Sequence, residues 1–287
     1  MLRPYKANPL RKFYLISLIC QELKVLNANS HSSMFDSPAA EVRVLESPEF
    51  HTFSDWCLHQ KKLPADAKHT VKMLMELVET DNCDRANFRL QQLQSLNLGD
   101  RKISDLRPLA SLSHLTGLVL YHNQISHLQP LSQLKNLTVL SLSDNQISDL
   151  QPLSQLTTLT VLSAGVNQIS DLHPLAELTR LEGLDLWDNQ ITNVYPLRSL
   201  TNLTILGLGD NQITDISPLQ NLTNISELSL FDNQVIDIQP LQTLTNLEFL
   251  FIPGNPIVDR SCPVFPESIC IFDYPNNPSQ DLEESNS

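Results

Sequence analysis

Residues 137–158 read LTVLSLSDNQISDLQPLSQLTT, and residues 159–180 repeat the phrase as LTVLSAGVNQISDLHPLAELTR. The unit is 22 residues long and can be written LxxLxLxxNQIxDLxPLxxLxx. Its opening position falls at Leu93, Leu115, Leu137, Leu159, Leu181, Leu203, Ile225 and Leu247, eight units without a slip. An asparagine column runs Asn123, Asn145, Asn167, Asn189, Asn211, Asn233 and Asn255, with Arg101 in its place in the first unit. A proline column runs from Pro108 to Pro240 at the same spacing. A period of this kind marks a chain built by stacking one supersecondary unit on the next.

Each column has a physical task. The LxLxL alternation predicts a short strand with its leucines on one face. Asparagine can donate and accept hydrogen bonds at once, so a stack of asparagines can satisfy the buried loop that follows each strand. Proline fixes its backbone angle and lacks an N–H, which suits a 3₁₀ or extended return segment. The Ser/Thr-Asp pairs before it, such as Ser148-Asp149, Ser170-Asp171 and Thr214-Asp215, can cap that segment. One unit cannot bury enough apolar surface to order its own backbone, so stability must come from stacking, and both ends need caps.

The unit resembles the bacterial 22-residue leucine-rich repeat of the internalins, and is similar to the repeat class of a phosphatase regulatory subunit. The resemblance covers roughly residues 93–257. It implies an α/β fold: a right-handed solenoid of eight repeats, a parallel sheet on the concave side and 3₁₀ or extended segments on the convex side. A Phe53-x-x-Trp56-Cys57 stretch, another cysteine before the repeats and two after them also resemble small secreted or envelope proteins of this type. Arg101 in the asparagine column and Ala164 at a leucine position depart from the pattern. The immunoglobulin-like and wall-anchoring modules of internalins are not expected here.

Outside the repeats the chain changes character. Residues 1–50 have no sustained period and read as a leader and linker, largely disordered. Arg3, Lys6, Arg11 and Lys12 precede the apolar run FYLISLIC, as in a short export signal, but Gln21, Glu22 and Lys24 interrupt it and no small-x-small cleavage site follows. Residues 51–92 read as a helical N-terminal cap. A short helix over SDWCLHQ is expected to be capped by Ser54, a second to open at Pro64 with Val71, Leu74, Leu77 and Val78 on one face, and a third to run from Asp84 to Leu90. The repeats occupy 93–258, a C-terminal cap 259–275, and a disordered acidic tail 276–287.

Of the five cysteines, Cys57 and Cys83 fall in one cap, Cys262 and Cys270 in the other, and Cys20 in the leader. No CxxC or close Cys/His cluster suggests a metal. Disulfides Cys57–Cys83 and Cys262–Cys270 are the sharper reading, against four buried thiols in a cytoplasmic protein. Disulfides imply an oxidising compartment, so the expectation leans to an extracytoplasmic or secreted protein.

A net charge of −13 disfavours nucleic acid and anionic membrane surfaces as partners. No apolar run is long enough for a membrane span. With 7 glycines and no GxGxxG or GxxxxGK[ST], phosphate-cradling loops are not a theme. The histidines are scattered, and no convergent polar set suggests catalysis, a metal or a cofactor. The column Asp105, Asp149, Asp171, Asp215, Asp237 and Asp259 could in principle hold calcium. Capping of the return segments is the simpler reading. Sequons at Asn136, Asn202, Asn221 and Asn224 arise from the repeat itself.

Specificity should lie where the unit departs from itself. Unit positions 3, 5, 7 and 8 are expected to face away from the core on the strand side. Position 7 reads Gly99, Tyr121, Ser143, Gly165, Trp187, Gly209, Phe231 and Pro253, large rings among small residues. We expect Tyr121, Trp187, Phe231, Asp185, Asp188, His122 and Phe251 to form a partner-binding face, since aromatics set among polar groups are typical interface anchors. The alternative is that the aromatics merely cover the strands and that the position-8 aspartates serve the turns. The leading function is a non-enzymatic, monomeric module that binds a protein. Two other readings are an intracellular regulatory subunit of an enzyme such as a phosphatase, and a carbohydrate-binding envelope protein.

Overall fold

The computed structural model describes residues 50–274. The expected leader up to residue 49, with Cys20, and the expected tail from 276 lie outside the described residues. Phe50 is part of the cap, its ring 4.6 Å from that of Trp56.

The leucine alternation produces one three-residue strand per unit: β1 Ser95–Asn97, β2 Gly117–Val119, β3 Val139–Ser141, β4 Val161–Ser163, β5 Gly183–Asp185, β6 Ile205–Gly207, β7 Glu227–Ser229 and β8 Phe249–Phe251. All pair in parallel and in sequence order, and each register shift equals the repeat, as in Leu96 opposite Leu118 opposite Leu140. A ninth strand, β9 Cys270–Ile271, comes from the C-terminal cap and adds Ile271 beside Phe251.

The strands are short because the chain turns sharply at position 8. There Asp100, His122, Asp144, Val166, Asp188, Asp210 and Asp232 hold φ between 47° and 58°, and Gly254 holds 74°. Aspartate tolerates this left-handed region better than most residues, which explains its recurrence in the column. Val166 is the costly member, because a β-branched side chain is disfavoured there.

On the return side each proline opens a 3₁₀ segment, for example Arg107–Leu109, Tyr195–Ser199 and Gln239–Thr243. The position-13 carboxylates accept the N–H two residues on, Gln151 to Asp149 at 2.7 Å and Ser217 to Asp215 at 2.8 Å among them. Between strands and returns, leucine and isoleucine columns from Leu96 to Leu250 are almost wholly buried. Ala164 is buried as well.

The asparagine column stitches the units. Asn189 Oδ1 accepts Ile169 N–H at 2.9 Å, while its Nδ2 donates to the carbonyls of Ala164, Leu186 and Trp187 at 3.0–3.2 Å. The other columns repeat the pattern, with Asn211 bonding Ile191 and Leu186. The ladder ends at Arg101, where the N-terminal cap takes over: His69 Nε2 donates to Arg101 O at 2.7 Å and Thr70 Oγ1 to Asp105 O at 2.7 Å. A second, outer ladder was not expected from the sequence. Asn136, Asn202, Asn224 and Asn246 each donate to a carbonyl 23 residues earlier.

The N-terminal cap has three helices, α1 Phe53–Leu58, α2 Ala65–Leu77 and α3 Cys83–Gln91. Thr52, not Ser54, caps α1. Its hydroxyl accepts Asp55 N–H and Asp55 accepts Thr52 N–H, a reciprocal pair that leaves Ser54 Oγ to donate to Asp84 at 2.7 Å. Val71, Leu74 and Val78 are buried as expected, and Leu77 is only partly so. Disulfides join Cys57 to Cys83, tying α1 to α3, and Cys262 to Cys270 in the other cap.

Candidate partner-binding face

Since Leu96, Leu118 and their successors point into the core, positions 3, 5 and 7 lie on the opposite face of the sheet. Along position 7 every aromatic ring is paired with a glycine of the preceding unit. A Cβ on Gly99 would lie 2.5 Å from the Tyr121 ring, one on Gly165 2.5 Å from the Trp187 ring, and one on Gly209 2.0 Å from the Phe231 ring. The rings thus lie across the preceding unit just beyond the end of its strand, which explains the alternation of large and small residues. Trp187 remains 38% exposed, and Tyr121 and Phe231 are half-buried.

Two expected contact residues are not on the surface. Asp185 is 4% exposed, because its carboxylate tucks into the space left by Gly207 on the next strand, where a Cβ would meet Oδ1 at 2.6 Å. Its described partners, Ser163 Oγ and Trp187 N–H, stand at 3.5 Å, the outer limit of a hydrogen bond. Burial outweighs them and pushes the carboxyl up to about 7. Phe251 is fully buried, enclosed by Phe231, Phe249 and Tyr274 with centroids 5.8–6.2 Å away. Tyr274, from the C-terminal cap and not singled out by the sequence, takes the exposed place over Phe251. Burial, together with a hydrogen bond to Asp232, raises its hydroxyl above the ordinary range.

The position-8 column divides into two parts. At one end His122 stands between two carboxylates, its Nδ1 2.9 Å from Asp144 and its Nε2 3.9 Å from Asp100. At the other end Asp188, Asp210 and Asp232 follow one another on successive units. Desolvation, followed by the charges of both neighbours, raises the carboxyl of Asp210. Among the described residues no group of three or more His, Cys, Asp or Glu is arranged to hold a metal ion. No described helix is long and apolar enough to cross a membrane.

The family model for leucine-rich repeats in two copies matches residues 135–177 and 179–221. An internalin (inlF) from Listeria monocytogenes is 41% identical over 58% of this chain and 49% of its own, with a TM-score of 0.57. An internalin C2 from the same organism is 33% identical over 63% of this chain and 91% of its own, with a TM-score of 0.52. The chain belongs to the internalin-like leucine-rich-repeat proteins. A leucine-rich-repeat protein of Leptospira interrogans, 24% identical over 59% of this chain and 52% of its own with a TM-score of 0.52, shares the fold. The chain thus spans about half the length of the inlF internalin. No curated protein sequence matches the chain significantly.

Proposed function

We propose that this internalin-like protein is a non-catalytic binding module whose protein partner seats on the outer, concave face of the sheet, with Tyr121, Trp187 and Phe231 as apolar anchors and Asp188 and His122 beside them. The observation that carries this reading is the set of three rings laid over the glycines of preceding units. They form a low, rigid apolar stripe that needs little ordering when a partner arrives. Asp185 and Phe251 serve this face from beneath, as supports for the rings. The two disulfides favour an extracytoplasmic location over a cytoplasmic one. The test is capture of the partner by a folded Trp187→Ala, Phe231→Ala double variant. Capture should weaken by about a hundredfold if both rings are anchors, and unchanged capture overturns the reading.

A further inference from the structure

The same face carries a one-sided charge pattern. No Lys or Arg occupies positions 2–8 of any unit, whereas carboxylates recur there. Within the repeats beyond the first turn the basic residues Arg107, Lys135, Arg180 and Arg198 all fall on the return side. An unbiased surface would mix the two signs. The separation leaves the sheet face as an anionic track.

We propose that this face takes a cationic polypeptide surface, in which lysine or arginine side chains of the partner pair with Asp188, Asp210 and Asp232 while Trp187 and Phe231 receive their alkyl stems and charged heads. The inference rests on the reading that a protein partner seats here, and adds the partner's chemistry. Neighbouring parallel strands lie about 4.8 Å apart, so the three carboxylates repel one another. That repulsion contributes to the raised Asp210 carboxyl. His122 stands between Asp100 and Asp144, its Nδ1 2.9 Å from Asp144. No Lys, Arg or His lies between the other three in that column.

The floor of the track holds a polar group that lacks a partner. Ser229 Oγ is buried and has no hydrogen-bond partner among the described residues, and Asp185, 4% exposed, has only its two contacts at 3.5 Å. Both sit at position 5, on the same face, flanking Gly207. Buried polar groups are normally satisfied. A donor-rich ammonium or guanidinium, which carries no acceptor, can give a hydrogen bond to an unpartnered hydroxyl oxygen such as that of Ser229. A cation over an indole or phenyl ring adds a further attraction.

The experiment is a calorimetric titration of the full chain with decalysine, deca-arginine and decaglutamate peptides. It compares the parent, a D188N/D210N/D232N variant and a D149N/D171N/D215N variant that makes the same charge change on the return side. Asparagine adopts the left-handed turn as readily as aspartate and keeps the oxygen that accepts backbone N–H groups, so both variants should fold. If the first does not, D210N alone carries the comparison. We expect saturable binding of both cationic peptides and none of decaglutamate. Binding should be about tenfold weaker in the sheet-face variant, and unchanged in the return-side variant. Absent saturation, an equal loss in both variants, or calcium alone binding and displacing the peptides overturns the proposal. A natural partner captured through Trp187 and Phe231 while decalysine is ignored overturns the cationic chemistry alone. Capture indifferent to those two rings overturns the face itself.

Discussion

The asparagine ladder and the aromatic stripe lie two positions apart in the same 22-residue unit, yet they are built on different principles. In the ladder each asparagine makes the same bonds to its neighbours, and Asn145, Asn189 and Asn233 are interchangeable in the kind of partner and in distance. In the stripe each ring has its own glycine, and between Tyr121, Trp187 and Phe231 the column holds only Ser143 and two of those glycines. A contact repeated at every step carries the stack, whereas contacts confined to single pairs leave neighbouring positions free to vary. The first kind makes the fold and the second makes a surface.

The largest effect is expected from Asn189→Ala. It removes the acceptor of Ile169 N–H and three donated bonds in the buried loop, and should cost about 3–5 kcal/mol in urea unfolding. A cost under about 1 kcal/mol would mean that the ladder is no more essential than the stripe. Next in size is removal of Cys57–Cys83, which spans 26 residues. Its double serine variant should lose about 3 kcal/mol, with the loss reported first by the N-terminal cap in hydrogen exchange.

The stripe is sharpened by Asp185→Asn. The folded state holds the Asp185 proton, at about 7, more tightly than an unfolded chain with a carboxyl near 3.8. The stability it contributes is therefore complete below the unfolded value and is lost as pH rises through the interval to about 7. The variant should match the parent near about pH 4 and be more stable by about 4 kcal/mol near about pH 8. Equal pH profiles would show that the carboxylate is hydrated in solution. The smallest effect is expected from Gly165→Ala, whose methyl would meet the Trp187 ring at 2.5 Å. The ring should swing outward and red-shift its fluorescence at a stability cost of about 1 kcal/mol.

The repeat made the strands, the proline-led returns and the ladder legible, because each is a column with one chemical meaning. The cap cysteines were legible for the opposite reason, since they stand outside the period. What escaped was depth. Alternation assigns Asp185 and Phe251 to the outer face, but it does not show that Gly207 leaves room to bury the first or that Tyr274 covers the second. Both facts depend on residues one unit away or beyond the repeats. The Thr52 cap escaped because Thr52 and Ser54 are equally suited to capping by type, and the reach of Asp55 decides between them. The strand at Cys270–Ile271 is too short to show a pattern of its own.

The strand β9 and the helices α1–α3 also set where the stack of repeats stops. A stack in which each layer offers the next the same leucines and the same open amides has no internal reason to end, and a bare terminal layer would accept a layer from another molecule as readily as its own. By closing each end with a differently shaped piece pinned by a disulfide, the chain counts its own layers. Loss of either pin would therefore open a route to end-to-end polymers, a form of damage quite unlike the local fraying of an ordinary terminus.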